Sequence, residues 1–258
     1  MKKKIVLSEL IIMVLIFTFV MSVTVLAWVS VISGIKIQDI QVTPAGADAL
    51  SIKNTSSGSK FAFTVSPSSN TVNTLNPVST YDLTNWYKPQ NIVSINEDGT
   101  ASDSTVFESV NTAEKANYYY QEKFWVTTSA SMTNFRVSNI VVKDGDGNSV
   151  QTDYSKSLRV GIICGSKSYI FAPVEGADKT CEAIQEVDGS IVNKAQPVIY
   201  NMNQVLMSTI NKDEDFAVEV FVWYEGEDEN CVTKDLSAES LKINIEFTAD
   251  PNINSDVG

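Results

Sequence analysis

The chain of 258 residues carries 31 acidic and 19 basic residues, a formal net charge of −12, and no histidine. Such a surface repels nucleic acid and anionic lipid headgroups. The lack of histidine excludes the Ser-His-Asp and Cys-His arrangements, and nearly all catalytic zinc sites with them.

The first predicted element is the apolar run from Leu10 to Ile32, which holds no charge. At about 1.5 Å per residue a helix of that length crosses a hydrocarbon core of about 30 Å. Lys2, Lys3 and Lys4 precede it, the charge asymmetry that keeps an N-terminus in the cytoplasm. Residues 1–33 are therefore read as a signal peptide or a transmembrane anchor. Val25-Leu26-Ala27 offers a cleavage site between Ala27 and Trp28, while the run beyond it to Ile32 suits a retained span. Both readings place residues 34–250 outside the membrane, at the cell surface or released from it.

Strand signals dominate the rest of the chain. Ile35, Ile37, Ile40 and Val42 alternate with one slipped place, the pattern of a strand with a β-bulge. Leu50–Lys53 and Phe61–Val65 read as short strands around a Ser/Thr turn. Residues 66–115 are rich in Ser, Thr, Asn and Asp and read as a long loop-rich insertion, with Trp86, Tyr87 and Phe107 folding back onto the body. Tyr118–Thr128 reads as a central strand, and Phe135–Val142 repeats the slipped alternation.

Asp144-Gly-Asp146-Gly-Asn148 places oxygen ligands at alternate positions, like the front half of a calcium loop, without a closing glutamate. Asp-Gly is also a strong hairpin-turn signal, so turn and calcium site both stand as readings. Leu158–Cys164 and Ser168–Ala172 read as a hairpin. Cys164 and Cys181 flank it and are the best placed pair for a disulfide, with Cys231 left over; free thiols are the alternative.

Val198, Met202, Val205, Leu206 and Thr209 fall at helical spacing behind Pro197, which predicts one short amphipathic helix. Phe216–Tyr224 is apolar on both faces and reads as a covered central strand. An acidic turn, 225–230, comes next. Leu241–Phe247 alternates cleanly, and a polar tail, 251–258, closes the chain without a second apolar segment or a sortase-type signal. The elements add up to a mostly β fold: an antiparallel, jelly-roll-like β-sandwich with one short helix. Its two terminal strands are expected near each other, with edges open to neighbouring molecules.

The basic start, the apolar leader ending in Leu26-Ala27-Trp28 and the immediate β-rich domain resemble the TasA/camelysin class of Gram-positive surface proteins. Ser155–Gly161 and Val222–Cys231 are similar to stretches of exported β proteins of Firmicutes. The resemblance implies jelly-roll subunits that build extracellular fibres by strand donation. Some members are described as surface proteases, a role for which a chain without histidine offers no support. Ile5-Val-Leu-Ser-Glu9 also resembles the start of type IV pilins, although Lys4 stands where the prepilin cut needs a small residue.

The function expected is that of a non-enzymatic surface protein, structural or adhesive, a subunit of a fibre or biofilm matrix. Its partners would be copies of itself or other surface proteins, with the membrane reached through the leader, no nucleic acid and no cofactor. The rival is a calcium- or carbohydrate-binding module built from 66–115, 144–148 and 225–230, with Trp86 and Tyr87 stacking on sugars. A carboxylate-only hydrolase is the third reading, but no spacing singles out a pair.

Overall fold

The computed structural model describes residues 35–44, 50–53, 74–95, 101–150, 152–187, 190–231 and 240–252. The leader, with Ala27 and Trp28, lies outside them, as does the strand expected at Phe61–Val65. Among the described residues no helix is long and apolar enough to cross a membrane.

The strands run in chain order as β1 (Ile35–Pro44), β2 (Leu50–Lys53), β3 (Thr74–Leu75), β4 (Tyr87–Ile95), β5 (Ala101–Ser109), β6 (Tyr119–Thr128) and β7 (Met132–Asp144). After the short helix α1 (Asp153–Lys156) come β8 (Leu158–Cys164), β9 (Lys167–Phe171), β10 (Ala183–Val187) and β11 (Ser190–Ala195). The last three are β12 (Val205–Ile210), β13 (Phe216–Tyr224) and β14 (Ser240–Pro251).

One five-stranded sheet has the order β12-β7-β14-β1-β3, and the other β2-β6-β13-β8-β9. β4-β5 and β10-β11 form separate hairpins. The ladders are antiparallel except that of β1 with β14, which is parallel. The terminal strands are thus neighbours, as expected. β14, however, is flanked by β7 and β1 and is not an edge.

Both slipped alternations are bulges. In β1 the register jumps from Ile37 to Asp39, leaving Gln38 as the extra residue. In β7 the extra residue is Ser138, since Asn139 faces Glu246 and Val137 faces Phe247. The Ser138 hydroxyl donates to the Glu246 carbonyl at 3.1 Å, which gives the bulge a bond of its own. The slip returns Phe135, Val137 and Ile140 to the buried face.

Two expectations need correction. The segment expected as a helix is a loop followed by β12, paired with β7 from Val205↔Arg136 to Ile210↔Met132. Asn203 at φ 68° breaks any helix there, and its N–H donates to the Val137 carbonyl at 2.8 Å. The helix that does form is α1, four residues capped by Thr152. The second correction concerns 66–115, whose described part holds β3, a 3-10 turn (Lys115–Asn117) and the nine-residue strands β4 and β5.

Both large sheets contribute to one apolar cluster. Phe135, Val137, Ile140, Leu241, Ile243 and Phe247 come from the first sheet, and Phe124, Val160, Ile162, Val218 and Val220 from the second. A smaller cluster lies on the other side of β13, where Phe221 and Trp223 meet Val78, Leu83, Trp86 and Ile170.

Phe135 ties the sheets together. Its ring stacks on Phe247 at 5.3 Å and meets Phe216 of β13 edge-on at 5.0 Å. The side chain is fully buried. Phe135→Ala is expected to lower stability by about 3–5 kcal/mol, read as a fall in the urea midpoint with the slope unchanged.

Candidate functional site

β8 is apolar apart from Arg159, and β13 runs into the acidic turn that begins at Glu225. The antiparallel register sets Trp223 opposite Arg159 and Tyr224 opposite Leu158. The end of β13 therefore delivers the acidic turn to the start of β8. There Arg159, Glu225 and Asp228 are all buried, at 2%, 4% and 3% exposure, so their charges must be answered inside the protein.

Arg159 is answered fully. Nη1 donates to the carbonyls of Lys156 at 2.8 Å and Leu158 at 3.1 Å. Nη2 donates to the Asp178 carbonyl at 2.7 Å and to Asp228 Oδ2 at 2.5 Å. One guanidinium thus joins the end of α1, the loop before β10 and the acidic turn. Asp228 Oδ1 accepts from the backbone and side-chain amides of Asn230, both at 2.9 Å.

Glu225 has mostly neutral donors. Oε2 accepts from Trp223 Nε1 at 3.2 Å and Oε1 from the Glu227 N–H at 3.3 Å, and the Ser79 hydroxyl donates as well. Burial pushes its carboxyl from an ordinary 4.5 up to about 7, against these bonds and the nearby Arg159. Lys194 of β11 pairs with Glu227 in the same turn. Cys231, also buried, has its thiol pushed up to about 12 by burial.

The residues singled out from the sequence are scattered. Asp144, Asp146 and Asn148 form a turn at the end of β7, in the other large sheet. Asp144 Oδ1 accepts from the N–H groups of Asp146 at 3.0 Å and Asn148 at 2.7 Å, and Oδ2 from Asn148 Nδ2 at 3.3 Å. The Asn148 N–H, foremost among these donors, holds the Asp144 carboxyl below its ordinary value. The carboxylate closes the turn upon itself. Among the described residues no group of three or more His, Cys, Asp or Glu is placed to hold a metal ion.

Cys164, Cys181 and Cys231 are free thiols, so the expected Cys164–Cys181 bridge is not formed. Cys164 is buried in the cluster that both large sheets share, while Cys181 lies near Glu225, Asp228 and Arg159. Trp86 and Tyr87 are buried at 5% and 1% exposure. Trp86 stacks on Tyr119 at 3.9 Å and meets Trp223 edge-on at 5.3 Å. Its faces are occupied by protein, which removes the sugar-stacking role.

A cleft of about 360 Å³ opens beside this region, between the loop after β9 and the approach to β12. Pro173, Val174, Tyr200 and Met202 line it, with Glu175 and Lys179 as its charged groups. The Lys179 ammonium is turned to Asn201 Oδ1 at 3.3 Å. Its volume is at the lower end for small-molecule sites.

Sequence reasoning missed the Arg159–Asp228 pair. A signal existed: one arginine inside an otherwise apolar strand demands a buried acid, and β13 ends in a run of them. Asp228→Ala, which strands the guanidinium, is expected to cost about 3–5 kcal/mol by urea unfolding. Asp250→Ala breaks the half-exposed pair with Arg136 at 2.8 Å and is expected to cost under about 1 kcal/mol in the same assay. Compared with known proteins, the chain matches no family model, no curated protein and no solved structure.

Proposed function

We propose that the two five-stranded sheets are the layers of a jelly-roll-like β-sandwich that the leader carries to the cell surface, where it serves as a structural or adhesive subunit. The observation that carries this reading is the parallel ladder between β1 and β14, eight register pairs from Lys36↔Ser240 to Pro44↔Phe247. β1 begins at Ile35, just past the apolar run that ends at Ile32. An anchor at that run joins the body through a sheet strand and not through a linker.

Parallel pairing also sets the direction of load. The chain enters β1 at one end of the sheet and leaves β14 at the other. Tension between the leader and the far end of β14 acts along the ladder, so its hydrogen bonds resist together. This geometry suits a part that transmits force or holds neighbours.

The leader junction, with its resemblance to the TasA/camelysin class, supports the same reading, and fibre formation by self-association follows from it. A pilin-like subunit has less support, because strand structure starts at Ile35 and leaves no room there for a long stalk helix. The buried charges favour a structural part over a catalytic one: Arg159 and Asp228 spend their bonds on backbone and on each other.

The test is in two steps. The full chain, expressed in a Gram-positive host, is expected at the cell exterior, accessible to protease on intact cells. Purified residues 34–258 are expected to form concentration-dependent oligomers or filaments by sedimentation and electron microscopy. A cytosolic full chain overturns the surface reading, and a strict monomer at all concentrations overturns the fibre reading.

A further inference from the structure

At the base of the β4–β5 hairpin one carboxylate holds two nitrogens. The Lys88 ammonium of β4 donates to both oxygens of Glu114, each at 2.7 Å. The Asn111 side-chain amide donates to Glu114 Oε1, one of the same two oxygens. Asn111 stands just beyond β5, next to Val110, whose N–H donates to the Trp86 carbonyl at 2.8 Å and keeps this end of the hairpin in step. Glu108, opposite Lys88 in the ladder, is a second carboxylate at 3.0 Å, and the ammonium lies over the Tyr118 ring at 5.5 Å.

The Asn111 carboxamide is held at its oxygen too. Oδ1 accepts from the Ala113 N–H at 3.0 Å and the Glu114 N–H at 3.2 Å. Two backbone donors on a carbonyl oxygen draw charge from its carbon and stabilise an oxyanion formed there. A turn needs that oxygen, but it does not need the amide nitrogen to share an acceptor with a lysine. An ion pair needs Lys88 and one carboxylate, and Glu108 already supplies it. Together these contacts place an amine beside an amide with a polarised carbonyl, and a carboxylate that touches both nitrogens.

We propose that Lys88 and Asn111 join in an isopeptide bond, with Glu114 carrying the protons, so that the base of the β4–β5 hairpin is closed covalently. Lys88 starts as an ammonium: burial works against its charge, but the bonds to Glu114 and Glu108 outweigh that and hold its proton. The first step is therefore transfer of a proton from Nζ to Glu114. The neutral amine attacks Cγ of Asn111, and negative charge passes to Oδ1 between its two N–H donors. Glu114 gives its proton to Nδ2 and takes one from Nζ as the Cγ–Nδ2 bond breaks and ammonia departs. The ammonia takes that last proton and leaves as ammonium. One lysine ammonium and one primary amide become one secondary amide and one ammonium ion, with no oxidant or other reactant. Asn111 is exposed, which gives the ammonia a way out. The firmly held Lys88 proton makes the first step costly, so the bond forms as the folded molecule ages. It ties residue 88 to residue 111 in a chain whose cysteines are free.

Peptide mapping of the full chain in mild detergent tests this, on protein freshly purified and on protein aged for weeks at neutral and mildly alkaline pH. Chymotrypsin cuts after Phe107 and so separates Lys88 from Asn111. Fragments 88–107 and 108–118 are expected to stay joined, lighter by one ammonia than their sum, and the joined share should grow with age. In Glu114→Ala joining should slow on the order of a hundredfold or more. In Lys88→Arg it should vanish. Separate fragments in the aged wild type overturn the proposal. So does Asn111 converted to aspartate with Lys88 left unjoined, or joining at an unchanged rate in Glu114→Ala. Where the variants do not fold, the wild-type map decides: fragment ions that place the bond between Lys88 and Asn111 support it, and separate fragments overturn it.

Discussion

The structure depends on the second half of β13, Val220–Tyr224, having no face for water. Val218, Val220, Val222 and Tyr224 pack into the cluster that both large sheets share, while Phe221 and Trp223 point the other way and are as deeply buried. A strand apolar on both sides needs a cover on both sides. The inner cover is the larger apolar cluster, to which the first sheet contributes Phe135, Ile243 and Phe247. The outer cover is mainly irregular chain, the segment from Val78 to Tyr87, and irregular chain brings polar backbone that must be satisfied where it is buried. It is satisfied locally. Thr80 Oγ1 accepts from the Leu83 N–H at 3.0 Å and donates to the Asn85 carbonyl at 2.7 Å. Leu83 takes a left-handed backbone, φ 64°, to reach the sheet. It lands over Gly161, where a Cβ would lie 2.6 Å from its Cδ2. A glycine in β8 is thus the space that lets the cover close.

The buried charges arise from the same constraint. A strand covered at both faces must end under its cover, and β13 ends in acids. Arg159 answers them from the adjacent strand, with four hydrogen bonds to offset the cost of taking its charge out of water. The pair acts on register more than on net stability. A slip of one residue in β8 would turn Arg159 into the larger apolar cluster and leave Asp228 without its partner. Charge here specifies which pairing of β8 and β13 is native, while apolar burial supplies the drive.

Legibility in the sequence tracked how local each cause was. The bulges at Gln38 and Ser138 and the two-sided burial of β13 could be read because alternation is a property of neighbouring residues. β4 and β5 could not: Lys-Pro-Gln-Asn and Ala-Ser-Asp-Ser carry no alternation, and the strands exist by pairing with each other from Tyr87↔Ser109 to Ile95↔Ala101. β12 misled because Val205, Leu206 and Thr209 fit a helical face as well as a strand. The deciding influences, the β7 edge and the left-handed Asn203, act from the fold and from one backbone angle. The charged site was half visible. Arg159 announced a need, but its partner lies in another strand's terminal turn, and the choice of Asp228 over its acidic neighbours is set by the β8–β13 register.

The order of the first sheet links fold to chain order in one further way. β14 lies between β1 and β7, so the first strand of the described chain has its long ladder with the last. The ladders that β7 and β13 make with β12, β6 and β8 can all form first. The first sheet stays open until residues 240–251 arrive, and closing it brings together segments separated by nearly the whole chain. Contacts of such sequence separation are slow to form, because chain entropy is lost before the contacts reward it. The parallel ladder of β1 with β14 is the contact that completes the first sheet.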